Sequence, residues 1–149
     1  MSEEETSTQS GEWQGGCLCG AVTFRIERPV STCVHCHCTL CQRNHGAGHV
    51  AWIALSLDKL TVDRGKEELT KYASSEHGSR SFCRKCGTSL FCQLDERPDE
   101  IDIPLANLEP GSGIKPQAHI FFDDRVSWSD VRDDLPRLGG KSGVEPIKS

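Results

Sequence analysis

Seven of the nine cysteines fall in three tight clusters: Cys17-Leu18-Cys19-Gly20, Cys36-His37-Cys38-Thr39-Leu40-Cys41 and Cys83-Arg84-Lys85-Cys86-Gly87. The chemistry such spacing serves is metal–thiolate binding. A C-x-x-C followed by glycine lets the chain fold back so that both sulfurs meet one ion, and C-x-C reaches similarly across a tighter turn. A structural zinc site takes four ligands, and two pairs distant in sequence supply them while stapling remote strands together. Cys17, Cys19, Cys83 and Cys86 suit that role. The middle cluster is different, because Cys36, Cys38 and Cys41 offer three thiolates from six consecutive residues. Three protein ligands leave a tetrahedral ion one position at which chemistry can occur. Spacing is equally compatible with a closed second site, its fourth ligand being Cys33, His35, His37 or a distant histidine. Which clusters share an ion is a matter of three-dimensional proximity, which spacing does not give. Of the two remaining cysteines, Cys92 reads as a small buried residue and Cys33 as a spare ligand or a redox partner.

The elements that must carry these clusters are short. Apolar residues recur at period two in Val22-Phe24-Ile26, Leu60-Val62, Leu90-Cys92-Leu94 and Ile101-Ile103, which predicts strands with one buried face. Turn-forming stretches separate them at Arg64-Gly65-Lys66, His77-Gly78-Ser79, Arg97-Pro98-Asp99 and Pro110-Gly111-Ser112-Gly113. No long segment sustains a 3.6-residue pattern, so the expected fold is mainly β with at most short helical turns. Residues 1–12 are polar and acidic and read as a disordered tail. Residues 136–149, rich in glycine, read as a second, flexible one. That leaves a single zinc-binding domain over 13–135.

Composition narrows the function classes. With 22 acidic against 17 basic residues, the net charge of −5 provides no footprint for a phosphate backbone, so a nucleic-acid partner is not expected. The first residues, Met1-Ser2-Glu3-Glu4-Glu5, have neither the basic nor the apolar run of a secretory signal, and no stretch reaches membrane-spanning length. The expectation is a soluble cytoplasmic protein. Nine thiols in a reducing compartment point to metal binding rather than disulfides.

The ordered pattern resembles the glutathione-dependent formaldehyde-activating enzyme family, which includes centromere protein V. The likeness runs through Gly16-Cys17-Leu18-Cys19-Gly20-Ala21-Val22 and Cys36-His37-Cys38-Thr39-Leu40-Cys41-Gln42-Arg43, with Gly46-Ala47 close behind. It continues in Phe82-Cys83-Arg84-Lys85-Cys86-Gly87-Thr88 and ends near Lys115-Pro116, His119-Ile120 and Trp128, covering about residues 13–135. The resemblance implies a β-tent fold of small antiparallel sheets, related in architecture to methionine-R-sulfoxide reductases. It further implies two zinc ions per chain: a structural one on Cys17, Cys19, Cys83 and Cys86, and a catalytic one on Cys36, Cys38 and Cys41. The implied reaction is addition of an aldehyde such as formaldehyde to glutathione, or its reversal, formally a carbon–sulfur lyase.

Three thiolates make zinc a weak Lewis acid and a poor generator of hydroxide, which disfavours hydrolysis. A soft thiol suits the fourth position better, because coordination strips its proton. Glutathione is anionic, and Arg43 is the first candidate to meet its carboxylates, with Arg80 or Arg84 behind it. His37, His45, His49 and His119 have side chains suited to proton transfer. The same residues would serve a thiol carrier without turnover. A structural module for macromolecular contacts would need only the closed site, and a sulfoxide reductase would need a late nucleophilic cysteine, for which Cys92 is the sole candidate.

Overall fold

The alternating runs do form strands. The computed structural model of the chain describes residues 11–147. In chain order it contains β1 (Glu12–Gly16), β2 (Thr23–Glu27), β3 (Thr32–Cys36), α1 (Thr39–His45), β4 (Val50–Ser56), β5 (Leu60–Arg64) and β6 (Leu69–Ser75). There follow β7 (Gly78–Cys83), β8 (Ser89–Leu94), β9 (Glu100–Pro104), β10 (His119–Ile120), β11 (Leu138–Gly139) and β12 (Glu145–Pro146). The fold is mainly β, with short 3-10 turns between strands. It divides into two compact units: the chain up to Ser31 with Ile53–Ile114, and Thr32–Trp52 with the chain from Lys115 onward.

In the first unit, β1, β2 and β5 make an antiparallel sheet in the order β1-β2-β5, with Trp13 opposite Ile26 and Phe24 opposite Val62. The strands β9, β8, β7 and β6 follow one another as an antiparallel meander. Val22, Phe24, Ile26, Leu90 and Ile103 are fully buried, and Phe24 meets Phe91 edge-on at 5.4 Å between ring centroids. Each such side chain contributes about 1.5–3 kcal/mol by leaving water. Where β5 ends, Gly65 takes φ +86°, and a Cβ there would lie 2.1 Å from the Ala21 carbonyl oxygen. Only glycine satisfies that close approach.

The second unit is built on a parallel pair, β3 with β10, that places His119 opposite His35 and Ile120 opposite Cys36. Backbone bonds from Gln117, His35 and His37 extend the pairing along both chains. The strands β3 and β4 are among those that escape the period-two rule. The β4 run Val50-Ala-Trp-Ile-Ala-Leu-Ser is nearly all apolar and buries both faces in its middle, so nothing alternates. The β3 run Thr-Cys-Val-His-Cys is occupied by residues of chemical rather than packing character.

Two boundaries read from composition differ from the structure. Strand β1 starts at Glu12, inside the expected acidic tail, whose first ten residues lie outside the described ones. In the expected C-terminal tail, β11 pairs with β12, the Gly140 amide donates to the Asp123 carboxylate, and the Phe121 amide donates to the Gly143 carbonyl. Two-residue strands held by such bonds lie below the length at which a hydrophobic period can register.

Candidate functional site

In the first unit, the knuckle after β1 and the knuckle after β7 bring four sulfurs together. Those of Cys17, Cys19, Cys83 and Cys86 all lie within 4.8 Å of one another, with Cys17–Cys19 at 3.6 Å and Cys19–Cys83 at 3.9 Å. Four thiolates about 2.3 Å from a tetrahedral zinc would stand about 3.8 Å apart, so this set fits the ion. Local backbone explains the geometry. Gly87, at φ +81°, lets its amide return to the Cys83 carbonyl at 2.7 Å, and the Val22 amide donates to the Cys17 sulfur at 3.3 Å. Thr88 Oγ1 accepts from the Leu18 amide at 3.0 Å and lies 3.2 Å from the Cys86 sulfur. Its hydroxyl brings the Cys86 thiol down to about 5, so this ligand is ready to ionise.

In the second unit, Cys36 closes β3, Cys38 caps α1 and Cys41 lies within that helix. The three sulfurs lie within 4.8 Å of one another, with Cys36–Cys41 at 3.5 Å. The Cys38 sulfur accepts the Cys41 amide at 3.3 Å, a bond that sets the start of the helix and aims the sulfur inward. The neighbouring Cys38 and Cys41 thiols, and then burial, push the Cys36 thiol far up. Three sulfurs so close ionise together only around a cation, and their number and spacing fit zinc as well as the four-sulfur set does. Among the described residues neither Cys33 nor a histidine joins this group of mutually close ligand atoms. Cys33 is buried, which raises its thiol to about 11, and Cys92 is buried on β8.

Behind the loop lies a hydrogen-bonded chain of side chains. His37, one residue from both Cys36 and Cys38, is 1% exposed; its Nε2 is 2.8 Å from Nδ1 of His119, also 1% exposed. His119 Nε2 in turn lies 2.9 and 3.0 Å from the two carboxylate oxygens of Asp133. Asp133 also accepts the Leu135 amide at 3.0 Å and the Arg137 guanidinium at 3.2 Å. An ionised carboxylate only accepts, so His119 must carry its proton on Nε2. With both rings neutral, His119 Nδ1 accepts from His37 Nε2–H, and His37 Nδ1 is left as a bare lone pair. That atom is buried and has no hydrogen-bond partner among the described residues. Burial, and then the neighbouring His49, His119 and His35, bring His37 down to about 4, which keeps the ring neutral near pH 7. His35 stacks on His119 at 4.8 Å, and His49 stands 4.9 Å from His37.

Gln42 locks this loop in place, its Nε2 donating to the His37 carbonyl at 2.7 Å and the Asp124 carbonyl at 2.9 Å. Of the other expected residues, Arg43 is exposed on α1, and His45 packs edge-on against Trp52 at 5.4 Å. Arg80 and Arg84 belong to the first unit, where Arg84 pairs with Glu68 at 2.5 Å. Asp133 carries no signal in the sequence: it sits in an acidic run and is joined to His119 only through the fold. Gln42 and Thr88 stand inside the cysteine motifs, but their roles come from contacts that only the fold supplies.

Small sheets, two thiol clusters spaced to bind metal ions and a histidine-backed loop define a cysteine-rich protein of the β class. The glutathione-dependent formaldehyde-activating enzyme family matches residues 12–124, and the chain belongs to it. A Halomonas elongata protein whose name places it in the same family is 30% identical over 127 residues, 79% of this chain and 80% of the relative. An uncharacterized lyase of Schizosaccharomyces pombe is 34% identical over 121 residues, 80% of this chain and 85% of the relative. A crystal structure of a Rhodobacter sphaeroides protein superposes with a TM-score of 0.56 at 31% identity, covering 69% of this chain and 91% of that one. Among the described residues no helix is long and apolar enough to cross a membrane.

Proposed function

We propose that the chain is a zinc-dependent carbon–sulfur lyase that joins an aldehyde such as formaldehyde to glutathione, or releases it from the adduct. The family and the names of its relatives support the enzyme class. The observation that carries the reading is the contrast between a four-sulfur set and a three-sulfur set whose loop carries a buried imidazole nitrogen with no hydrogen-bond partner among the described residues. Cys17, Cys19, Cys83 and Cys86 would hold a structural zinc, and Cys36, Cys38 and Cys41 a catalytic one. Zinc bound by three thiolates supplies a fourth position for a soft ligand and favours its ionised form.

The chain's own residues do the rest. His37 Nδ1 takes the thiol proton, and His119 and Asp133 hold that ring in the accepting tautomer. As sulfur attacks the carbonyl carbon, the proton passes to the aldehyde oxygen; a carbon–sulfur bond and a hydroxyl form, and no other reagent is consumed. Burial of His37 keeps bulk water from competing for the proton. Arg43, exposed on α1, supplies a cation toward the anionic substrate. A zinc domain over residues 13–135 in a reducing, cytoplasmic setting suits nine free thiols.

The test is metal content per chain for wild type and a Cys36→Ser/Cys38→Ser/Cys41→Ser variant, with adduct formation followed by exchange NMR above the uncatalysed rate. Two zincs falling to one, with catalysed exchange lost and the fold kept, supports the proposal. One zinc in both proteins, or exchange at the uncatalysed rate in wild type, sinks it.

A further inference from the structure

Between β10 and β11 the second unit forms a cleft of about 540 Å³ whose walls include Phe122, Arg125, Ser127, Ser129, Asp130 and Arg132. Its size falls within the range that takes small molecules. Its lining carries two guanidinium groups, those of Arg125 and Arg132, and one carboxylate, that of Asp130, all three exposed. Arg125 is held in position, its guanidinium 4.6 Å from the centre of the Phe122 ring while one N–H donates to the Phe122 carbonyl at 3.0 Å. That leaves the other N–H groups of the fork for a ligand. Asp130 lies 3.8 Å from Arg132, so the opposite charges stand side by side.

Phe122 links the cleft to the reactive loop. Its ring stands perpendicular to His37 with centroids 5.1 Å apart. Gln42 ties the Asp124 carbonyl to that of His37 from the other side. Phe122 thus borders both the cleft and the residue flanked by Cys36 and Cys38. A peptide thiol that is also a zwitterion matches this lining: glutathione carries two carboxylates and one ammonium, against two guanidinium groups and one carboxylate here.

We propose that this cleft is the recognition site for the peptide part of the thiol substrate, Arg125 and Arg132 binding its carboxylates and Asp130 its ammonium group. The inference rests on the thiol-addition reading above and adds to it the part of the protein that selects a zwitterionic peptide thiol over a simple thiol. Paired forks recognise carboxylates through charge-assisted bonds, and losing both should weaken binding at least tenfold.

The probe is S-methylglutathione, whose sulfur has no proton to give up, titrated by calorimetry into zinc-loaded wild type and an Arg125→Ala/Arg132→Ala variant of unchanged metal content. Glutathione is titrated in parallel. Binding by wild type that weakens at least tenfold in the variant supports the proposal. Equal binding by both overturns the cleft while leaving the thiol-addition reading intact. Failure of wild type to bind glutathione itself overturns both. Should the double variant not fold, amide shifts of residues 122–132 in wild type on titration decide instead; their absence, with glutathione still bound, overturns the cleft.

Discussion

Replacing Asp133 by asparagine tests the proton arrangement behind the reactive loop with minimal change of shape. An amide can donate to His119 Nε2, which a carboxylate cannot. If it does, His119 protonates on Nδ1, His37 accepts at Nε2, and His37 Nδ1 becomes a donor. One atom replaced at the far end then reverses every proton in the chain. The energetic cost to the fold is small. A hydrogen bond to a charged group contributes about 1.5–3 kcal/mol and a neutral one about 0.5–1.5 kcal/mol. The Asp133 side chain is 42% exposed, so solvent screens its charge and the loss of stability is small. The kinetic cost is larger, because a positioned proton acceptor contributes about 10²–10⁴ in rate. We expect kcat to fall about a hundredfold with KM for glutathione unchanged. The imidazole 15N shifts of zinc-loaded protein report the tautomers directly: wild type should show a non-protonated Nδ1 at His37 and Asp133→Asn a protonated one. A protonated His37 Nδ1 in wild type, or an Asp133→Asn variant with inverted tautomers and unchanged kcat, would refute the reasoning.

Cys83→Ser should release the metal of the four-sulfur set and unfold the first unit, seen as lost amide dispersion, whereas Cys38→Ser should keep the β1-β2-β5 resonances and lose only the second metal. Gly65→Ala meets both a positive φ and a Cβ placed 2.1 Å from a backbone oxygen, so denaturant melts should show a loss of about 2–3 kcal/mol. Phe24→Ala, at a site 1% exposed, should cost about 3–5 kcal/mol by the same measurement. The Arg84 hydrogen bond holds the Glu68 carboxyl below the usual glutamate range. A carboxylate with a depressed folded value stabilises the protein above its unfolded value of about 4.3, and that stabilisation disappears as pH falls through the folded value. Wild type should therefore melt higher than Glu68→Gln at pH 7, and the gap should close as the pH is taken down past 4; a gap independent of pH would show that the pair contributes nothing.

What was legible in the sequence was whatever short-range geometry dictates. Cys36, Cys38 and Cys41 span six residues, and a turn of that length can scarcely avoid bringing their sulfurs together. Val22, Phe24 and Ile26 alternate because one face of β2 is buried and the other is not. The meeting of Cys17 and Cys19 with Cys83 and Cys86 was suggested by count, two pairs and four positions, and by the family resemblance, and the fold supplies the proximity across more than sixty residues. β4 was missed because burial of both faces removes the alternation, and β11 and β12 because two residues show no period.

The Asp133–His119–His37 chain was illegible for a different reason. Its contacts join residues 82 and 14 positions apart, and a hydrogen bond between side chains leaves no periodic trace. Yet it is this chain that separates the two thiol sets in kind. The four sulfurs of the first unit supply every ligand a tetrahedral ion takes, and the bonds from Val22 and Thr88 go to those sulfurs. In the second unit three sulfurs would leave a tetrahedral ion one position over, and with both rings neutral the bonds from Asp133 through His119 leave a lone pair on His37 Nδ1. In the proposed reaction that alignment serves proton transfer. Inverting the tautomers should therefore silence the reaction while leaving both metals bound, which no stapling role for the second cluster predicts.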